Sequence, residues 1–248
     1  MEKSVKPAIL KRSNFMLNIT NCERIEIINS LLKDGVFIPC PDGVLIEKTV
    51  KIGKGTLIMP NTVLEGETSI GENCVIGPNS YISNTVVGND TTLNNVQSFK
   101  SQIGSYVTAG PFVHIRPDSK IADKVHIGNF VEVKNSSVDE GSKLPHLLYV
   151  GDSDVGKDVN FGCGCVTVNY DGRNKSRTTV KDGAFIGCNT NLIAPVTIGE
   201  NAFTAAGSTI TEDVPDNALA LARERQTNKE NWVNIKKPYK RQHQTENK

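Results

Sequence analysis

The chain has 248 residues, 38% of them hydrophobic, enough for one substantial domain or two small ones. With 28 Lys and Arg against 27 Asp and Glu the net charge is +1, so no global charge argues for nucleic acid or a membrane surface as partner. The opening MEKSVKPAILKRSNF has no apolar core followed by a small-residue cleavage site, and no apolar run is long enough to span a bilayer, which makes a cytoplasmic protein the expectation.

Residues 1–43 read as a lead-in. Within it, NCERIEIINSLLKDG sets Ile25, Ile28, Leu31 and Leu32 at helical spacing and stops at Gly35, so one short amphipathic helix is expected. From there aliphatic residues recur every six positions at Ile52, Ile58, Leu64, Ile70, Ile76 and Ile82, many followed at once by glycine. The ladder resumes at Ile103, Ala109, Ile115, Ile121, Ile127 and Val133, and again at Ile186, Leu192, Ile198, Thr204 and Ile210. A helix needs spacings of three and four, and an ordinary strand needs two without turn punctuation. A six-residue unit with one inward aliphatic and a small corner residue is the mark of a parallel β-helix. The expectation is an all-β chain, with a β-helix over 44–214 and an irregular tail over 215–248. Coil ends are open sheet edges, and the N-terminal helix and the C-terminal tail are the segments available to cover them.

Three hexads close one coil, so residues one coil apart stack. Arg116 follows Ile115 and Lys134 follows Val133 one coil later, which sets two cations one above the other, calling for an anion or for solvent between them. Next, Leu144 stacks under Phe161, Ile186 and Thr204, provided about seven residues near YDGRNKS loop out at a corner. Two places after each of these stand His146, Cys163, Cys188 and Ala206. Three small side chains in line form a groove for a long thin ligand, and a histidine closes one end, where a reactive group would arrive. Small corner residues and an incidental surface histidine would give the same pattern. His114 and His126 stand on different faces and neither shares the column of His146, so no metal site is expected within one chain, while one shared across subunits stays open. Six scattered cysteines, with Cys163 and Cys165 as a lone C-x-C, read as small buried side chains rather than a disulfide framework or a zinc site.

The segments FVHIRP, HIGNFVEVKNS, LPHLLYVGDSDVGKDVNFGCGCVTVNYDGRNKSRT, FIGCNTNLIAPVTIGENAFTAAGSTITEDVPDNALALAR and QTNKENW resemble the C-terminal acetyltransferase domain of the bifunctional bacterial N-acetylglucosamine-1-phosphate uridyltransferase/glucosamine-1-phosphate N-acetyltransferase family. The resemblance runs from about residue 20 and is densest over 107–232. It implies a left-handed β-helix, a homotrimer with active sites between subunits, and acetyl transfer from acetyl-CoA to the amine of glucosamine 1-phosphate without a metal. By motif, the general base falls on His146. Sugar-phosphate contacts fall on Arg116, Lys134, Tyr149, Asn160, Asn169 and Lys175, and acetyl-CoA contacts on Cys163, Asn169, Tyr170, Cys188, Ala206 and Arg223. The chemistry suits these residue types. A histidine with an ordinary pKa near 6.5 can take the proton an amine must lose to attack a thioester, typically worth about 10²–10⁴-fold. Arg116, Lys134 and Lys175 would meet the sugar phosphate. Cysteine at 163 and 188 departs from the smaller or hydroxyl-bearing residues usual in the family. Nothing before residue 43 resembles the family's nucleotidyltransferase domain, so uridylyl transfer is not expected of these residues. Another amino sugar, such as a nucleotide-linked one, is an alternative acceptor, and a silent trimeric scaffold is the alternative outside enzymes.

Overall fold

The hexads form short strands, most of two to four residues, joined by tight corners and paired in parallel with the coils above and below. The result is a left-handed parallel β-helix with three walls. The computed structural model describes residues 19–236; the first 18 residues of the lead-in and residues 237–248 of the tail lie outside it.

In each coil the chain runs through the walls in a fixed order. The first wall is the nine-stranded sheet from Lys51–Ile52 to Val196–Ile198. The second runs from Leu57–Ile58 to Leu219–Ala220 and the third from Leu45–Ile46 to Thr209–Ile210. The strands His126–Lys134 and Lys143–Gly151 continue round the corner between the second and third walls, which merges those walls into one 18-stranded sheet. The ladder residues point inward: Ile58, Leu64, Ile76, Ile82, Ile115, Ile127, Leu144, Phe161, Ile186 and Leu192 are fully buried. Each such side chain is worth roughly 1.5–3 kcal/mol relative to exposure. Buried Ser and Thr hydroxyls near the corners bond carbonyls of the next coil, as Thr91 does to Gly104 (2.9 Å) and Ser142 to Gly156 (2.7 Å).

The corner between the second and third walls requires left-handed backbone. Asn61, Asn79 and Asn95 occupy it with φ of 58°, 55° and 51°, and then Phe112, Phe130 and Leu147 take the same conformation with φ of 60°, 57° and 52°. Asparagine tolerates this region, whereas large apolar side chains rarely enter it. The three form an exposed ridge, with the Phe112 and Phe130 rings stacked at 5.1 Å.

The helix Asn21–Lys33 begins where Thr20 and Glu23 form a capping box. It closes the N-terminal coil end by burying Ile28 and Leu31, while Arg24 donates to the carbonyl of Pro41 at 2.8 Å. Ile25 and Leu32, also at helical spacing, are exposed because a narrow coil end covers only one stripe of the helix. At the other end residues 221–236 are exposed throughout, including the short helix Trp232–Lys236, so on one chain they leave the last coil uncovered.

Candidate active site

The column expected from the sequence is present. Leu144 lies beneath Phe161, Phe161 beneath Ile186, and Ile186 beneath Thr204. At the corner that follows, the N–H of Gly164 donates to the carbonyl of His146 (3.3 Å), that of Asn189 to Cys163 (2.7 Å) and that of Gly207 to Cys188 (2.7 Å). His146, Cys163, Cys188 and Ala206 therefore occupy the same position on four successive coils. The glycines beside them let successive coils approach closely. A Cβ on Gly162 would stand 2.5 Å from the backbone nitrogen of Cys188, and one on Gly187 2.6 Å from that of Ala206. Arg223 closes the far end, its Cδ 3.7 Å from the Cβ position of Gly207. Asn160 stands on the second wall, three residues before Cys163, between Lys143 below and Phe185 above.

His146 is exposed, and its Nδ1 lies 2.8 Å from Oδ1 of Asn129, the residue paired with it on the coil below. Asn129 escaped the sequence reading, although it precedes His146 by one coil and the same stacking arithmetic reaches it.

Arg116, Lys134, Tyr149, Asn169 and Lys175 gather at the other edge of the third wall. The two stacked cations do not face each other bare, because each has a carboxylate one coil above. Arg116 pairs with Glu132 at 2.9 Å, and Lys134 with Asp152 at 3.2 Å. The Asp152 side chain is 6% exposed and also accepts from the amides of Asn135 and Asn169. Burial pushes the Asp152 carboxyl up, but the hydrogen bonds from Asn135, Lys134 and Asn169 outweigh it and hold its pKa below the usual carboxylate range. Burial likewise lowers the Lys134 ammonium, and the hydrogen bond and negative charge of Asp152 together with its other neighbours outweigh this, leaving its pKa raised. The amide of Asn169 also donates to the Tyr149 hydroxyl at 3.4 Å, and Lys175 lies at the far end of the looped-out segment, next to Ser176, whose N–H donates to the Asn169 carbonyl at 3.0 Å. The Tyr149 ring lies over Gly151, where an added Cβ would stand 2.4 Å from the hydroxyl oxygen. Tyr170 is exposed on the loop, its backbone bridged to Lys175 and its hydroxyl donating to the carbonyl of Gly172 at 2.8 Å. Glu132 and Asp152 were missed in the sequence because a lone charged residue in a hexad looks like ordinary surface until the coil register aligns it with a partner.

The two groups are not adjacent on one chain. His146 sits at the corner between the second and third walls, and the basic cluster sits where the third wall meets the first. The stretch from Leu148 to Gly151 alone spans about 10 Å of extended strand. Among the described residues no group of three or more His, Cys, Asp or Glu side chains is placed to hold a metal ion. None of the described helices is long and apolar enough to cross a membrane.

Comparison with known proteins fits this geometry. Residues 49–84, 100–135 and 177–212 match the bacterial transferase hexapeptide (six repeats) family. The chain is 58% identical over 210 residues to the bifunctional protein GlmU of Geobacillus sp. (strain WCH70), which covers 85% of this chain and 46% of that protein. It is 50% identical over 198 residues to the GlmU of Listeria monocytogenes serotype 4b (strain F2365), covering 80% of this chain and 43% of that protein. The chain thus spans about half the length of these relatives. Among solved structures, the UDP-N-acetylglucosamine acyltransferase of Francisella novicida is 17% identical with a TM-score of 0.43, over 75% of this chain and 67% of that one.

Proposed function

We propose that this chain, a hexapeptide-repeat homologue of the acetyltransferase half of the bifunctional GlmU proteins, transfers the acetyl group of acetyl-CoA to the amine of glucosamine 1-phosphate. The product would feed UDP-N-acetylglucosamine and cell-wall precursor synthesis in the cytoplasm. The observation that carries this reading is the column from His146 through Cys163, Cys188 and Ala206 to Arg223, with a base at one end, a cation at the other and small side chains between. Four coil steps at about 4.8 Å each make roughly 19 Å, a length suited to an extended pantetheine arm with its phosphates at Arg223. With the sugar nitrogen as the neutral amine, His146 takes one N–H proton as that nitrogen attacks the thioester carbon. The C–N bond forms, the C–S bond breaks, and the proton passes from His146 to the departing CoA sulfur.

The basic cluster supplies the counter-charge for the sugar phosphate, with Arg116 and Lys134 released in part from Glu132 and Asp152. Amine and phosphate sit on neighbouring ring carbons, so one sugar cannot engage both edges of a single third wall. The reading therefore takes His146 from one copy and the basic cluster from the next, within a homotrimer. The ridge of Phe112, Phe130 and Leu147, beside His146, supplies apolar surface for that contact.

Thiol release from acetyl-CoA tests the proposal, with glucosamine 1-phosphate compared against glucosamine, glucosamine 6-phosphate and nucleotide-linked amino sugars. Release with glucosamine 1-phosphate alone is expected, and His146→Ala should abolish it while acetyl-CoA still binds. Release only with a nucleotide-linked sugar replaces the acceptor. Silence with every acceptor, despite acetyl-CoA binding, removes the enzymatic reading in favour of a scaffold.

A further inference from the structure

We infer that Asn129 is a positioning residue that holds His146 in the tautomer protonated at Nδ1, leaving Nε2 as the base. The inference rests on the reading of His146 as the base, and goes beyond it by assigning the group that orients the ring.

The geometry begins with the coil register. Asn129 pairs with His146 in the parallel ladder between the strands His126–Lys134 and Lys143–Gly151. Both are followed by a left-handed corner residue, Phe130 at φ 57° and Leu147 at φ 52°, so the two side chains leave equivalent positions of adjacent coils. The coils approach closely here. Gly128 has no room for a Cβ, which would stand 1.8 Å from the carbonyl oxygen of Pro145, the residue before His146. A short amide on this tight corner reaches Nδ1, and the amide oxygen lies 2.8 Å from it. An oxygen acceptor on Nδ1 requires the proton there, and it leaves Nε2 with a lone pair. Among the described residues His146 makes no other side-chain hydrogen bond.

The charge of the partner matters as much as its position. A carboxylate in this place would stabilise the imidazolium and raise its pKa, whereas an amide orients the ring without adding a charge. A base that must return its proton to a departing thiolate works best when its conjugate acid is not over-stabilised. On the coil below, the neighbours of His146 are Gly128, Asn129 and Phe130, with His126 and Glu132 three residues to either side of Asn129. On the coil above, Cys163 is the titratable neighbour, and along its own strand Lys143 and Tyr149 lie three residues away.

Nitrogen-15 NMR of the four histidines, with His146 assigned through His146→Gln, reads the tautomer directly in the unmodified protein. The expected result is protonation at Nδ1 in the neutral ring. In Asn129→Asp the tautomer should be kept, because a carboxylate can only accept. The His146 titration should rise by about one pH unit or more, and the acidic limb of kcat/KM should move up with it. Asn129→Ala should lose the tautomer preference and about 10–10² of kcat, part of the 10²–10⁴ that a general base supplies, with acetyl-CoA affinity unchanged. Protonation at Nε2 in the unmodified protein, or an unmoved His146 titration in Asn129→Asp, overturns the inference. The NMR result stands even if a variant folds poorly. Absence of acetyl transfer with a Nδ1-protonated ring would instead overturn the proposed function.

Discussion

Asp152→Asn removes one charge and almost no volume from the basic cluster, which makes it a sharp probe of how that cluster is held. The carboxylate accepts from Lys134, Asn135 and Asn169, and its side chain is 6% exposed against 19% for Lys134. An asparagine here offers one acceptor oxygen and turns an NH₂ group toward donors. Removing one partner of a buried ion pair costs about 3–5 kcal/mol, and the residual hydration of Lys134 brings the expected loss to about 2–3 kcal/mol. At about 2–4 °C per kcal/mol for a chain of this size, the unfolding midpoint should fall by roughly 5–10 °C. The pH dependence separates charge from shape. Asp152 has a depressed pKa in the folded protein, so its contribution is present above the unfolded value near 3.9 and is lost as pH falls through the folded value. Lys134 has a raised one, so its share is present below the unfolded value near 10.4 and is lost as pH rises through the folded value. Wild type and variant should therefore differ most near neutral pH and converge below about pH 4. Urea unfolding across this range, with KM for the sugar phosphate, is the assay. A variant within about 0.5 kcal/mol of wild type at neutral pH, the range of an ordinary surface change, with unaltered sugar KM would refute the reasoning.

Three further outcomes are expected. Gly128→Ala drives a Cβ to 1.8 Å from the Pro145 carbonyl oxygen. Displacing His146 by about 1 Å can cost up to 10²-fold in kcat, and an unchanged kcat would show that the corner yields without moving the ring. Replacing Phe112, Phe130 and Leu147 together by Asn relieves left-handed strain at three corners while deleting the ridge. If the chain forms the proposed trimer, sedimentation should find a folded monomer in this variant, and a trimer persisting in the variant would exclude the ridge from the interface. Iodoacetamide at neutral pH should modify exposed Cys188 before Cys163 and spare buried Cys165, whose thiol is pushed up to about 11 chiefly by burial. Peptide mapping follows the sites, acetyl-CoA should protect, and full activity with Cys163 and Cys188 both alkylated would show that neither thiol borders the reacting thioester.

Much of the architecture was legible because a β-helix writes its register into the chain. Leu144 to Phe161 is one coil, and Phe161 to Ile186 is one coil plus the loop, so counting alone stacked His146 on Cys163, Cys188 and Ala206. The same counting reached Arg116 and Lys134 but left out the partners that neutralise them, Glu132 and Asp152, because attention to cations suggested an external anion. It also passed over Asn129, an amide whose importance depends on which nitrogen of the neighbouring ring it meets. Asn160, assigned to the sugar phosphate by motif, stands on the second wall just before the groove, while Lys134 stands at the far edge of the third wall of the same chain.

The sequence by itself determined the coil, since a six-residue period of inward aliphatics has no other way to bury itself, and it determined which residues share a column. Tertiary structure decided what the columns do. Only there do the left-handed corners turn Phe112, Phe130 and Leu147 outward as a ridge. Only there does Asp152 enter a buried corner where three donors keep it ionised. And only there do His146 and the basic cluster fall on opposite edges of one wall. The physical reason is that a one-dimensional repeat specifies neighbours along the stack, whereas distances across a wall and the satisfaction of buried charges depend on where each corner turns.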